Sequence, residues 1–132
     1  MLGHIGINVP DLAVARAYYA DLMPQVGFEP FLDEPDQFAF RPARGKPGTY
    51  LFFYPGGSQL PNSRHDTTGL QHLAFMVGAR AAVTEVHRWA IASGSEVVHA
   101  PRSFPEYPPP YFATFWLDPF GIMLEAVCHY DR

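Results

Sequence analysis

Lysine and cysteine are nearly absent from this chain. Among its 132 residues there is one lysine, Lys46, and one cysteine, Cys128. A lone cysteine cannot close an intrachain disulfide, which fits a protein of the reducing cytosol. Basic residues number nine against thirteen acidic ones, for a formal charge of −4, and they form no run. That argues against a nucleic-acid or anionic-membrane surface. No apolar stretch approaches the length of a membrane span, and the first residues lack the basic-then-apolar pattern of a signal peptide. Apolar residues do reach 48%, with eleven phenylalanines and seven tyrosines. That is enough for one domain with a real core, and some of these rings are free to line an apolar pocket.

The chain reads as one plan used twice. "LGHIGINV" (2–9) lies over "LQHLAFMV" (70–77), so that Leu2, His4 and Val9 meet Leu70, His72 and Val77. A helical pattern follows each. In the first, Asp11 is placed to cap a helix carrying Leu12, Ala15, Tyr19, Leu22 and Met23, closed by Pro24 and Gly27. In the second, Val83, Val86, Ala90 and Ile91 recur, with Gly94 at the C-cap. Strand-like runs come next: "GFEPFL", "QFAFRP" and "GTYLFFYP" in the first half, "EVVHAP", "YFATFWL" and "GIMLEAVCHY" in the second. The polar, turn-rich stretch at 61–69 reads as a linker. The expected fold is α+β: a single domain over 1–132, built of two βαβββ modules (about 1–60 and 70–132). Their strands would form a curved mixed sheet around a cavity, with the helices outside.

Strand alternation then assigns faces. Ile5, Ile7 and Val9 should pack on the helices, leaving His4, Gly6 and Asn8 toward the cavity. Leu73, Phe75 and Val77 should do the same, leaving His72, Ala74 and Met76. In the last strand Met123, Glu125 and Val127 face the cavity. Small Gly6 and Ala74 would leave room for a guest. A single strand histidine is ordinarily a satisfied core or surface group. Two at matching repeat positions are harder to dismiss, because a two-fold operation brings them together. A buried carboxylate needs a cation or a donor to meet it. Two imidazoles and one carboxylate suit a divalent metal.

At these residues the chain resembles the vicinal oxygen chelate superfamily, also called the glyoxalase, bleomycin-resistance and dioxygenase superfamily. The matching pieces are "GHIGINVPDLAVARAYYADLM", "GLQHLAFMV" and "FATFWLDPFGIMLEAV". The last contains the family's Asp-Pro-x-Gly-x-x-x-Glu ending as Asp118, Pro119, Gly121 and Glu125. The resemblance implies paired βαβββ modules and one divalent ion (Fe, Mn, Ni, Co or Zn) held by His4, His72 and Glu125. It also implies a homodimer.

Departures from the family pattern narrow the chemistry. Glyoxalase I usually has a further glutamate on the last strand of module one. Gly121 precedes Glu125 by four residues and Gly48 precedes Phe52 by four, so Phe52 stands in that glutamate's place. Phenylalanine cannot bind metal, which counts against ordinary glyoxalase I activity and leaves one side of the ion open beside an aromatic wall. Extradiol dioxygenases carry a tyrosine where this chain has Phe115, and an upstream histidine where it has "PEYPPPY". Phosphonate-binding relatives use several basic side chains, and one lysine does not supply them.

The substrate-contacting candidates are Asn8, Phe40, Tyr50, Phe52 and Phe115, and the catalytic candidates are Tyr111 and Glu125. His65 and His87 read as structural or solvated. His99 is placed for the pocket rim. His129 shares the Glu125 face, but at about 3.3 Å per residue it lies roughly 13 Å away. Tyr107 and Tyr111 flank a Pro-rich run that is either a stiff connector or a lid with a phenolic donor. Arg41 and Arg44 are available to a carboxylate but read as exposed.

The expected function is a small metalloenzyme. A small, oxygenated, partly apolar or aromatic substrate would chelate the ion, for lyase, isomerase or dioxygenase chemistry. The alternative is a non-catalytic protein of the bleomycin-resistance type that sequesters a small molecule. A purely structural metal fits less well, since structural sites are normally closed.

Overall fold

The computed structural model describes residues 1–56 and 68–132. The chain forms two compact units, Met1–Leu60 and Pro61–Arg132. Residues 61–67 of the expected linker, with His65, lie outside the described residues.

The first unit runs β1 (His4–Val9), α1 (Leu12–Leu22), a 3-10 turn over Met23–Val26, β2 (Phe28–Glu34), β3 (Gln37–Pro42) and β4 (Tyr50–Pro55). Asp11 caps α1 by accepting from the Val14 amide at 3.0 Å. The turn that holds Pro24 ends at Gly27, whose φ of 88° is left-handed and favours glycine. The sheet order is β1-β4-β3-β2, with β1 parallel to β4 and the other pairs antiparallel. One face packs on α1. There Tyr19 is fully buried, 4.4 Å from the Phe53 ring, and Phe38 stacks on Phe53 at 4.7 Å. Ile7, Val9 and Leu51 complete this core.

The second unit repeats the plan: β5 (Leu73–Met76), α2 (Arg80–Ala92), β6 (Val97–Ser103), β7 (Phe112–Leu117) and β8 (Met123–Cys128). Its order, β5-β8-β7-β6, with β5 parallel to β8, copies the first sheet strand for strand. The two βαβββ modules therefore form two four-stranded mixed sheets, each with its own helix. Val83, Val86 and Ala90 of α2 are buried, whereas Ile91 is exposed, being one residue off the apolar stripe. Trp116 and Leu124 are fully buried. No helix among the described residues is long and apolar enough to cross a membrane.

Candidate functional site

The last strand is aimed by the turn before it. Asp118 is 5% exposed, and its Oδ1 accepts from the backbone N–H of Phe120 and of Ile122, each at 2.9 Å. The Asp118 N–H donates to Ile122 O at 2.8 Å, and Gly121 takes the left-handed φ of 84° that closes the turn. The chain enters β8 in a fixed register, with Leu124 opposite Trp116 and Glu125 opposite Phe115. Alternation then turns Glu125 away from the Leu124 and Trp116 face.

Glu125 has no exposed surface. Around it lies an apolar cluster of Phe104, Ala113, Phe115, Met123 and Val127, with Tyr111 packed against it. Such a carboxylate is costly unless donors meet it. The Tyr111 hydroxyl does, donating to Oε2 at 2.6 Å, and His72, one residue before β5, places Nε2 at 3.0 Å from Oε1. Burial first, and then the bond to the Glu125 carboxylate, push the Tyr111 phenol well above its ordinary pKa, so it stays a donor. The other His72 nitrogen, Nδ1, lies 2.8 Å from the Gln71 amide, which fixes the ring plane.

Two of the three expected metal donors thus meet within the second unit. The third, His4, belongs to the first unit. It is exposed at the start of β1, paired with Tyr50, with the Phe52 ring 5.4 Å from its own. Among the described residues, no group of three His, Cys, Asp or Glu side chains is gathered for a metal. The donor chemistry of the pair does suit an ion. An imidazole and a carboxylate are donor types that a divalent ion takes.

The substrate-contacting candidates divide. On the His4 face of the first sheet, Tyr50 and Phe52 are half-buried and Asn8 is exposed. Phe31 joins them with its ring 4.9 Å from Tyr50 and 6.2 Å from Phe52, beneath the Arg41 guanidinium. The sequence reading missed Phe31, although it shares the parity of Glu29, whose partner across the ladder is Arg41. Phe40 is a correction. It pairs with Leu51, so it lies on the helix-packed face with Phe38, 4% exposed, and is a core residue away from His4. Gly6 is a second correction. A Cβ there would meet Tyr54 Cε2 at 3.3 Å, so the missing side chain makes room for Tyr54 rather than for a guest.

In the second unit Phe115 pairs with Glu125, and its ring lies 5.6 Å from that of His72. His99 sits within β6 on the same face, 5.5 Å from the Phe115 ring. His129 lies edge-on to Tyr111 at 5.0 Å. His87 is on α2, and its buried Nδ1 has no hydrogen-bond partner among the described residues. Phe104 and Gln71 were both missed: Phe104 follows β6 in a stretch with no periodic signal, and Gln71 lies beside His72 in the repeated run, where it was given no role.

Comparison with known proteins agrees with this geometry. The family model described as the Glyoxalase/Bleomycin resistance protein/Dioxygenase superfamily matches residues 1–126. The uncharacterized protein PA2024 of Pseudomonas aeruginosa is 30% identical over 94% of this chain and 85% of its own length. A Bacillus halodurans structure, provisionally assigned as a glyoxalase, superposes with a TM-score of 0.78 at 27% identity, covering 97% of this chain and 95% of that one. The fosfomycin resistance protein FosX of Listeria monocytogenes shares the fold, with a TM-score of 0.72 at 18% identity over 99% and 94% of the two chains. With two βαβββ modules and a family model matched over residues 1–126, the chain belongs to the Glyoxalase/Bleomycin resistance protein/Dioxygenase superfamily.

Proposed function

We propose that this protein is a metal-dependent enzyme acting on a small oxygenated, partly apolar or aromatic substrate. His72 and Glu125 would hold one divalent ion, with His4 as the third ligand. The observation that carries this reading is the Glu125 carboxylate. It is fully buried, yet it presents Oε1 beside His72 Nε2 at 3.0 Å, on the face of the sheet away from the core of α2. When bound, the ion would supply Lewis acidity toward two substrate oxygens and, if it is Fe or Mn, redox chemistry as well.

The chain's own residues do the rest. The Tyr111 hydroxyl holds Oε2 and so fixes which carboxylate oxygen stays available. Gln71 sets the His72 ring plane. Phe115, Met123 and Phe104 exclude water from one side of the pair, which strengthens each charge interaction there. Phe52, beside His4, supplies an apolar contact and no ligand, leaving coordination positions for the substrate. Lyase, isomerase and dioxygenase chemistry all fit that arrangement. We place it in a homodimer in a reducing cytosol; the single thiol, Cys128, is buried.

A second reading has its own support. Phe31 and Tyr54 are exposed on the His4 face beside Tyr50 and Phe52, a surface suited to sequestering a planar molecule without chemistry. Metal analysis separates the two. The enzyme reading expects about one divalent ion per chain after incubation with Fe, Mn, Ni, Co or Zn, and sharply lower occupancy in His72→Ala. Tight binding of aromatic compounds to a chain that takes up no metal would support sequestration instead.

A further inference from the structure

The arm that delivers Tyr111 to Glu125 has few ways to be held. Residues 108–110 are all proline and carry no backbone N–H, so this run can be hydrogen-bonded only through its carbonyls. The ladder between β7 and β8 ends with Phe112 opposite Cys128, just short of the prolines. Continued by one rung, its register sets Tyr111 opposite His129. There a side chain takes over from the backbone. His129 Nδ1 lies 3.3 Å from the Pro110 carbonyl oxygen, which can only accept, so Nδ1 carries the hydrogen. The same imidazole meets the Tyr111 ring edge-on, with centroids 5.0 Å apart. The Tyr111 carbonyl is held separately, by the Phe104 N–H at 2.9 Å.

The end of the chain from β8 onward therefore grips the arm at two points. Glu125 accepts from the Tyr111 hydroxyl at 2.6 Å, and His129, on the same strand parity, holds the main chain of the preceding residue. One bond fixes the tip of the phenol and the other its root. We infer that His129 is a positioning residue: by anchoring Pro110 it aims the Tyr111 hydroxyl at Glu125 Oε2, and so keeps Oε1 turned toward His72. The inference deepens the function proposed above and rests on it only for the consequence at the ion; the anchoring itself involves no metal. The tolerance is small. With the main chain fixed, a tyrosine ring is steered by two torsions alone. If the arm drifts by about 1 Å, a bond of this length passes out of hydrogen-bonding range. What the arm takes from His129 is a donor, and the edge-on ring contact is secondary.

The test compares three substitutions of His129 in the full chain, read first without metal. The ring signals of Tyr111 in NMR spectra, assigned with Tyr111→Phe, report on its bond to Glu125. His129→Asn keeps a donor at the place of Nδ1 and loses the ring; His129→Phe keeps a ring and loses the donor; His129→Ala loses both. The Tyr111 signals are expected to shift in the alanine and phenylalanine variants and to stay near those of the parent in His129→Asn. Cobalt(II) affinity should sort the same way, falling about tenfold in the first two, as when an outer partner of a metal ligand is disturbed. A general loss of stability would not separate asparagine from phenylalanine in this order. Tyr111 signals unchanged in His129→Ala, or restored by phenylalanine and not by asparagine, would overturn the inference. So would cobalt affinity equal to the parent's in every variant whose Tyr111 signals shift. His129 is half-buried and lies beyond the last residue of β8; should the alanine variant not fold, the other two decide. A parent that takes up no cobalt refutes the metal reading, and the Tyr111 signals still decide whether His129 is the anchor.

Discussion

Replacing Asp118 by alanine tests the physical basis of the site without reference to any ion. The carboxylate is 5% exposed and accepts two backbone N–H bonds at 2.9 Å. Hydrogen bonds to a charged acceptor contribute about 1.5–3 kcal/mol each, but the two share one oxygen and do not add fully. The Ile122 amide is buried and would lose its acceptor, which sets a floor of about 1 kcal/mol. A loss of about 3 kcal/mol follows, or roughly 10 °C in Tm for a chain of this length. Urea unfolding monitored by tryptophan fluorescence reads it, since Trp116 sits opposite Leu124 at the start of β8. Asp118→Asn keeps an uncharged acceptor and should lose about 1 kcal/mol. If Asp118→Ala cost less than the asparagine variant, the turn would not be what sets the entry of β8.

Tyr111→Phe removes the 2.6 Å bond to Glu125 and should cost about 1.5–3 kcal/mol in urea unfolding, with the fold kept by circular dichroism. Phe40→Ala should cost about 3–5 kcal/mol and leave ligand affinity alone, because the ring lies in the α1 core; a selective loss of binding would return Phe40 to the pocket. Glu29 accepts from the Arg44 backbone N–H at 2.8 Å and from Arg41 at 3.1 Å, which hold its carboxyl below its ordinary pKa of 4.5. A folded value below the unfolded one means that its stabilisation is present above pH 4.5 and is lost as pH falls through the folded value. Glu29→Gln should therefore be less stable than the parent at pH 7 and equal to it at low pH in denaturation curves, and an equal difference at both would refute this.

Much of the arrangement was legible because period-two alternation is strict wherever one sheet face is buried. In β1 the parity of Ile7 and Val9 against His4 and Asn8 is visible in the letters, and the burial follows it. Asp11, Pro24 and Gly27 mark the ends of α1 through local chemistry that needs no tertiary context. The duplicated strand order follows the repeat of "GHIGINV" and "QHLAFMV".

What failed was not local. Phe38, Ala39 and Phe40 are all buried, so parity within "QFAFRP" says nothing, and only pairing with Leu51 puts Phe40 on the helix side. Gly6 read as open space because the neighbour that fills it, Tyr54, arrives from β4. Tyr111 meets Glu125 from across fourteen positions in sequence, on a proline-rich stretch with no period to read. His99 looked like the end of a strand because β6 runs on to Ser103, through Pro101.

The central proposal is that His4, His72 and Glu125 would together hold one divalent ion. Cobalt(II) titration, followed by visible absorption and run on the parent and on His4→Ala, His72→Ala and Glu125→Gln, tests it most directly. The account predicts saturation near one ion per chain in the parent and a loss of at least tenfold in affinity in each variant. Saturation unchanged by the His4 substitution, or no absorbance change in the parent at all, would contradict it.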